Sequence, residues 1–313
     1  HGAVLGRVGS PDEAEAVLRR AMLTAATAGD DAREAEVAVQ LLRSLMFRQE
    51  PVRVAAAADF VRAALVRAGG DVHEVDGIEG EARLSAGDAA GAIEALQRAL
   101  TSEHREDRIA ILETTLGSAH LAQGDHQAAL RLYAQALQRA LAFYGAAHPS
   151  VGFFLHRLGR GQREAGQLGA AHQTLSEALE LRRAALGPED RAVASTLLDL
   201  ALTELAQGEP EAAAERLLQA LEIRERAYGR AHVRLAEVLL PLGDAQAALG
   251  QAARARASYA RARALREAST PDHPQRRELD ERLRRLDERL RLLGSPATVE
   301  PAAPAPTGAP ALP

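Results

Sequence analysis

Small and large apolar positions recur along this chain at a fixed step. Leu116-Gly117 returns as Leu158-Gly159, Leu200-Ala201 and Leu242-Gly243, each pair 42 residues after the last. A second glycine keeps the same step at Gly124, Gly166, Gly208 and Gly250. Beyond each glycine comes an alanine, a large side chain and a second alanine: Ala129, Tyr133 and Ala136, then Ala171, Leu175 and Ala178, then Ala213, Leu217 and Ala220, then Ala255, Tyr259 and Ala262. Spacing i, i+4, i+7 sets such a triplet on one face of an α-helix. The glycine before it suits a tight turn between two helices, because it enters positive φ without a steric cost.

Each period therefore predicts a helical hairpin. One hairpin cannot bury its apolar face alone, so successive hairpins stack, the alanines letting backbones approach and the large residue filling the gap. Upstream the phase continues less regularly, through Gly87 with Ala92, Leu96 and Ala99, Pro51 with Ala56, Phe60 and Ala63, and Gly9 with Ala14, Leu18 and Ala21. The predicted fold is all-α, a right-handed superhelical solenoid of about six and a half hairpins with a C-terminal capping helix.

Leu-Gly in the first helix, Gly at the turn and Ala, large, Ala in the second resemble the tetratricopeptide repeat over residues 9–268. The 42-residue step, with Tyr144-Gly-Ala-Ala-His-Pro149, Leu186-Gly-Pro-Glu-Asp190 and Tyr228-Gly-Arg-Ala-His232 between hairpins, is similar to the kinesin-light-chain variety. The family's first-helix Trp position holds Glu113, Leu155, Leu197 and Leu239, and Pro241 stands where it should kink its helix.

Four regions are expected: irregular hairpins with a truncated first repeat over 1–100, regular repeats over 101–273, a capping helix over 274–294, and a disordered Pro/Ala-rich tail over 295–313. The cap follows from Leu279, Leu283, Leu286, Leu290 and Leu293 at steps of four and three, two heptads being too few for a coiled coil. The tail lacks the apolar content to bury a core. Ten residues precede the helix beginning near Pro11, too few for its partner, and the first residue is His1, so the chain reads as a fragment of a longer protein.

Composition closes off several chemistries. The 313 residues include no Cys, Lys, Asn or Trp, which excludes disulfides, thiolate metal sites, the P-loop lysine and the kinase lysine and asparagine. A net charge of -5, with acids and Arg interleaved, marks neither a nucleic-acid surface nor an acidic tail. No apolar run is long enough for a bilayer, and no signal peptide opens the chain. A cytoplasmic monomer without membrane contact is expected.

No catalytic, cofactor or metal site is predicted. His120 and His126 flank a turn, and His148, His232 and His273 occupy loops between hairpins, places that repetition explains better than metal binding. Gly159-Arg-Gly161 lacks the third glycine and the preceding strand of a phosphate loop. The carboxylates are expected on outward helix faces beside Arg, where ion pairs contribute tenths of a kcal/mol. What remains is the concave wall of first helices. There His156, Arg160 and Arg163 share a face, with Thr114 and Ser118 before them and Leu198, Asp199 and Leu202 after. A basic spot beside an apolar one suits an extended peptide carrying an acidic or phosphorylated residue.

The tetratricopeptide resemblance implies a non-catalytic scaffold for protein or peptide partners. In the front part, Glu13-Ala-Glu-Ala-Val-Leu-Arg-Arg20, Ala28-Gly-Asp-Asp31 and Ala68-Gly-Gly-Asp71 resemble the segment joining kinase and repeats in bacterial serine/threonine protein kinases of myxobacterial type. That implies a recruitment or regulatory region whose catalytic domain lies elsewhere. The alternative is the sensing region of a transcriptional regulator.

Overall fold

The computed structural model describes residues 11–47 and 50–269, together with Arg284 and Glu288, both helical. The predicted cap over 274–294 otherwise lies outside the described residues, as does the tail over 295–313. Among the described residues there are thirteen α-helices, one short 3-10 helix and no strand. In order, the α-helices are α1 (Pro11–Ala28), α2 (Asp31–Phe47), α3 (Pro51–Arg67), α4 (His73–Ser85), α5 (Ala89–Ser102), α6 (Glu106–Ala122) and α7 (His126–Tyr144). Then come α8 (Pro149–Glu164), α9 (Leu168–Leu186), α10 (Arg191–Gln207), α11 (Pro210–Tyr228), α12 (Ala236–Ala248) and α13 (Ala252–Ser269). The 3-10 helix is Val233–Leu235. Two compact units divide the chain, residues 1–223 and 224–313.

Within the first unit α4 pairs with α5, α6 with α7 and α8 with α9, each pair an antiparallel hairpin. The turns close their first helix in one way, and Asp88 and Asp125 also cap the second, whereas Gln167 does not. Gly124 sits at φ 82° and its neighbour Asp125 returns its N–H to the His120 carbonyl at 2.9 Å, closing α6. The Asp125 carboxylate then accepts the Ala128 N–H at 3.0 Å and caps α7. One dipeptide thus ends one helix and starts the next. Between hairpins, His148 caps α8 by accepting the Ser150 N–H at Nδ1, 3.2 Å away, while its ring stacks on Tyr144.

Why the small positions must be small is visible at the crossings. A Cβ on Gly117 would meet the Tyr133 ring at 2.9 Å, and one on Gly159 would meet Leu175 Cγ at 2.7 Å. The triplet alanines of α7, α9 and α11 are wholly buried, with Tyr133, Leu175 and Leu217 filling the space between them.

The front of the unit departs from this pattern. In α3 the buried face is Val54, Ala58, Val61 and Ala64, whereas Ala56, Phe60 and Ala63 are exposed. Counting from Pro51 misplaces this face by two positions; the triplet runs as if counted from Gln49, a place without the marking glycine. In α1, Leu18 and Ala25 are buried and Ala21 is exposed. Ala14 lies where side-chain placement is not described. The pattern is regular again by α5, whose Ala92, Leu96 and Ala99 are fully buried.

Carboxylates are not confined to outward faces either. Asp76 and Glu79 of α4 are both 2% exposed and are held by Arg62 of α3 and Arg98 of α5. Glu113, at the family's Trp position, is buried under Arg139, whose Nε lies 3.1 Å from both of its oxygens. Burial pushes the Glu113 carboxyl above its ordinary value despite Arg139. Glu204 is buried against Arg216.

In the second unit α12 pairs with α13. Tyr259 lies over Gly243 and donates its hydroxyl to Asp244 at 2.6 Å, and Ala255 and Ala262 are fully buried. Pro241 leaves the carbonyl four residues before it without its usual donor. Just upstream the chain changes from 3-10 to α geometry, and Arg224 takes the Arg234 carbonyl at 3.0 Å and the Glu237 carboxylate at 2.6 Å.

Candidate functional site

The first helices α4, α6, α8 and α10 pack side by side in the first unit, so equivalent positions form rows across them. One row runs Ile78, Thr115, Arg157, Asp199, and the next Glu81, Ser118, Arg160, Leu202. These rows follow from the close crossings, which place Gly80, Gly117 and Gly159 against Leu96, Tyr133 and Leu175.

Between α4 and α6 opens a groove of about 180 Å³ lined by Gly77, Ile78 and Glu81 on one side and Ile111, Leu112 and Thr115 on the other. His73, Glu74, Glu103 and Arg108 complete it. Gly77 keeps the floor open, since a Cβ there would meet Leu112 at 3.1 Å. Ile111 is 49% exposed, and Ile78 and Leu112 beside it are partly buried.

The residues expected to form a basic spot are brought together, and they largely satisfy one another. His156 is buried, with Nε2 at 2.8 Å from Asp199 Oδ2. Arg163 reaches Asp199 Oδ1 and Glu164 at 3.3 Å each, and Arg160 donates to Glu164 at 2.8 Å. Burial pushes the His156 imidazole below its ordinary value and outweighs the attraction of Asp199. At Asp199 burial acts to raise the carboxyl, but His156, Arg163 and Arg160 together hold it below the usual range. Thr114 is buried and donates to the Ala110 carbonyl at 2.8 Å. The Ser118 hydroxyl donates to the Thr114 carbonyl and meets the Tyr133 hydroxyl, both at 3.0 Å. Leu198 and Leu202 are partly buried on α10.

Two arginines that sequence reasoning missed stand out by their lack of a carboxylate. Arg182 is buried and spends one nitrogen on the Ala192 carbonyl at 3.0 Å and the Thr196 hydroxyl at 2.7 Å. Burial, reinforced by Arg157, brings its guanidinium down to about 10. Gly152 makes room for it, since a Cβ there would press on Arg182 Cγ at 2.9 Å. Arg224 stands one period later and ties its helix to the next in the same way, which was the available signal. Arg157 has no hydrogen-bond or ion-pair partner among the described residues, and its Nε is buried. Its guanidinium lies over the Phe153 ring at 5.2 Å, and burial lowers its proton affinity. The signal missed there was its row, shared with Thr115 and Asp199.

Among the described residues no three His, Asp or Glu side chains are placed to hold a metal ion, and no helix is long and apolar enough to cross a membrane.

Comparison with known proteins places this geometry. A search of curated proteins finds no significant match. The structure is similar to that of BtubC (BKLC) from P. vanneervenii, with a TM-score of 0.56 and 21% identity over 82% of this chain and 94% of that one. It is similar to a Podosopora anserina protein described as a kinesin light chain with nearly identical TPR-like repeats, with a TM-score of 0.53 and 21% identity over 64% and 96%. Against the APC/C hetero-tetramer Cut9-Hcn1 the TM-score is 0.62 at 15% identity, covering 91% of this chain and 48% of that one. These likenesses establish the fold. The sequence profile of the tetratricopeptide repeat matches residues 107–184, 173–226 and 192–268, which together span just over half of the 313 residues. The chain belongs to the tetratricopeptide repeat family.

Proposed function

We propose that the chain is a non-catalytic scaffold that holds extended segments of partner proteins along its first helices. Tetratricopeptide repeats generally serve as protein–protein interaction scaffolds. The observation that carries the reading is the groove between α4 and α6, where Ile111 is half exposed and Ile78 and Leu112 are partly exposed beside polar side chains. Its continuation over α6, α8 and α10 takes in Ser118, Arg160, Arg163, Leu198, Asp199 and Leu202, whereas Thr114 and His156 are buried and serve the wall from within. Affinity capture on residues 1–313, followed by hydrogen exchange of the retained complex, tests it. Protection on α4, α6, α8 and α10 is the expected result; protection confined to the second helices overturns it.

We further infer that the array is the C-terminal recruitment region of a bacterial serine/threonine protein kinase. What supports this is the resemblance over Glu13–Arg20, Ala28–Asp31 and Ala68–Asp71. The reading frame upstream of His1 decides it. A Gly-rich loop followed by His-Arg-Asp is expected, and a helix-turn-helix there overturns the reading in favour of a regulator.

A further inference from the structure

Arginines on the inward wall are ordinarily neutralised by the chain's own acids, and most here are. Asp199 is consumed by His156 and Arg163, and Glu164 by Arg160 and Arg163. Arg157 occupies the same row as Asp199, one helix away, yet none of its N–H groups meets a partner within hydrogen-bond reach among the described residues. The Phe153 ring beneath it attracts the cation through its face without using a donor. Glu81 reaches Arg157 only through space. Burial disfavours the charged form of this guanidinium, so the free protein bears a desolvation cost that no internal hydrogen bond offsets.

We propose that Arg157, seated on Phe153 and flanked by Arg160 and the Ser118 and Tyr133 hydroxyls, is a binding spot for the side-chain carboxylate of an acidic residue in a bound partner segment. The inference rests on the scaffold reading and names the chemistry that reading left open. A guanidinium presents parallel N–H donors that match the two oxygens of a carboxylate. Charge favours a monoanion. Arg157, Arg160, Arg163 and Arg182 against Glu81, Glu164 and Asp199 leave one positive charge, which a carboxylate balances and a dianionic phosphoryl group exceeds. Thr115, the equivalent of Arg157 one period earlier, lines the aliphatic groove, so the segment would present an aliphatic side chain to α6 and an acid to α8.

The test uses fluorescein-labelled octapeptide pools, degenerate at the flanking positions and carrying a central Glu, Gln or phosphoserine, titrated against residues 1–313 by fluorescence anisotropy. Wild type should bind the Glu pool about tenfold tighter than the Gln pool. Arg157→Gln should bring that ratio to about one while leaving the Gln pool unchanged, and Arg157→Lys should retain about two- to threefold. Arg183→Gln, on the second helix α9, should keep the full ratio. A wild-type ratio near one, or a tenfold ratio that survives in Arg157→Gln, overturns the proposal and leaves the scaffold reading standing. Tighter binding of the phosphoserine pool than of the Glu pool overturns the carboxylate assignment. Failure of every pool to bind overturns both. Arg157→Gln should keep the circular dichroism of the wild type and melt no lower, because it breaks no hydrogen bond and removes a buried charge, which keeps the comparison clean.

Discussion

The front helices α1–α3 and the hairpins α6–α9 meet the same packing demand with different side chains. In the hairpins, Gly117 and Gly159 lie flush against Tyr133 and Leu175, and the flanking alanines are wholly buried. In the front, Leu41, Leu42, Leu45, Val54 and Val61 fill the core, and the acids of α4 gather Arg62 and Arg98. A glycine crossing has one geometry, because any added atom collides. An aliphatic core tolerates several, so the face of α3 could drift relative to its turn. Regularity in sequence thus marks where packing is least forgiving.

The largest expected effect lies in the front. Removing Arg62 leaves buried Asp76 with only the half-exposed Arg98, and buried Glu79 with Arg98 and Arg83. Arg62→Ala should cost about 3–5 kcal/mol, whereas Arg160→Ala, which breaks an exposed pair with Glu164, should cost under about 1 kcal/mol. Urea unfolding of both variants measures the contrast, and equal losses would mean that the two regions do not differ in their use of charge.

Leu175→Ala comes next, at about 2–5 kcal/mol, because the rigid crossing at Gly159 cannot close over the cavity. Leu42→Ala in the front core should fall at the lower end of that range, where aliphatic neighbours can move in. A larger loss at Leu42 than at Leu175 would reverse the comparison.

Overpacking separates the regions more finely. Ala178→Leu forces extra methylenes into a fully buried site and should cost about 1–3 kcal/mol. Ala56→Leu places the same side chain on the exposed face of α3 and should stay within about 0.5 kcal/mol. Chemical denaturation showing a cost at Ala56 comparable to that at Ala178 would restore the face counted from Pro51.

These contrasts also explain what was legible in the sequence. Gly124, Gly166 and the alanine triplets announced hairpins because each has a steric reason to be small and recurs at one step. Where the turn before α3 lacked glycine, the count had no origin and the face was misassigned. Asp76, Glu79 and Glu113 were read as surface charges because a sequence shows an acid's helix but not the arginine that arrives from another one. His156, Arg160 and Arg163 were legible as one face. That Asp199 neutralises part of it, and that Arg157 is left over, depends on the lateral stacking of α8 and α10, which periodicity along one helix does not reveal.

The smallest effect follows pH and belongs to the hairpins, since among the described residues His156 is the one buried histidine. Burial keeps its imidazole neutral in the folded chain below its ordinary value of about 6.5. The unfolded chain therefore binds the proton first, and stability should begin to fall as pH drops through about 6.5. Asp199, held low by its cationic neighbours once burial is offset, contributes stability that is complete above about 3.9 and is lost as pH falls through its lower folded value. Both slopes have the same sign, with the histidine's arriving first. His156→Gln keeps an N–H for Asp199 but cannot titrate, so its unfolding free energy should fall less between pH 7 and 5 than that of the wild type. Denaturant midpoints at the two pH values decide it, and parallel declines would place the acid sensitivity at groups other than His156.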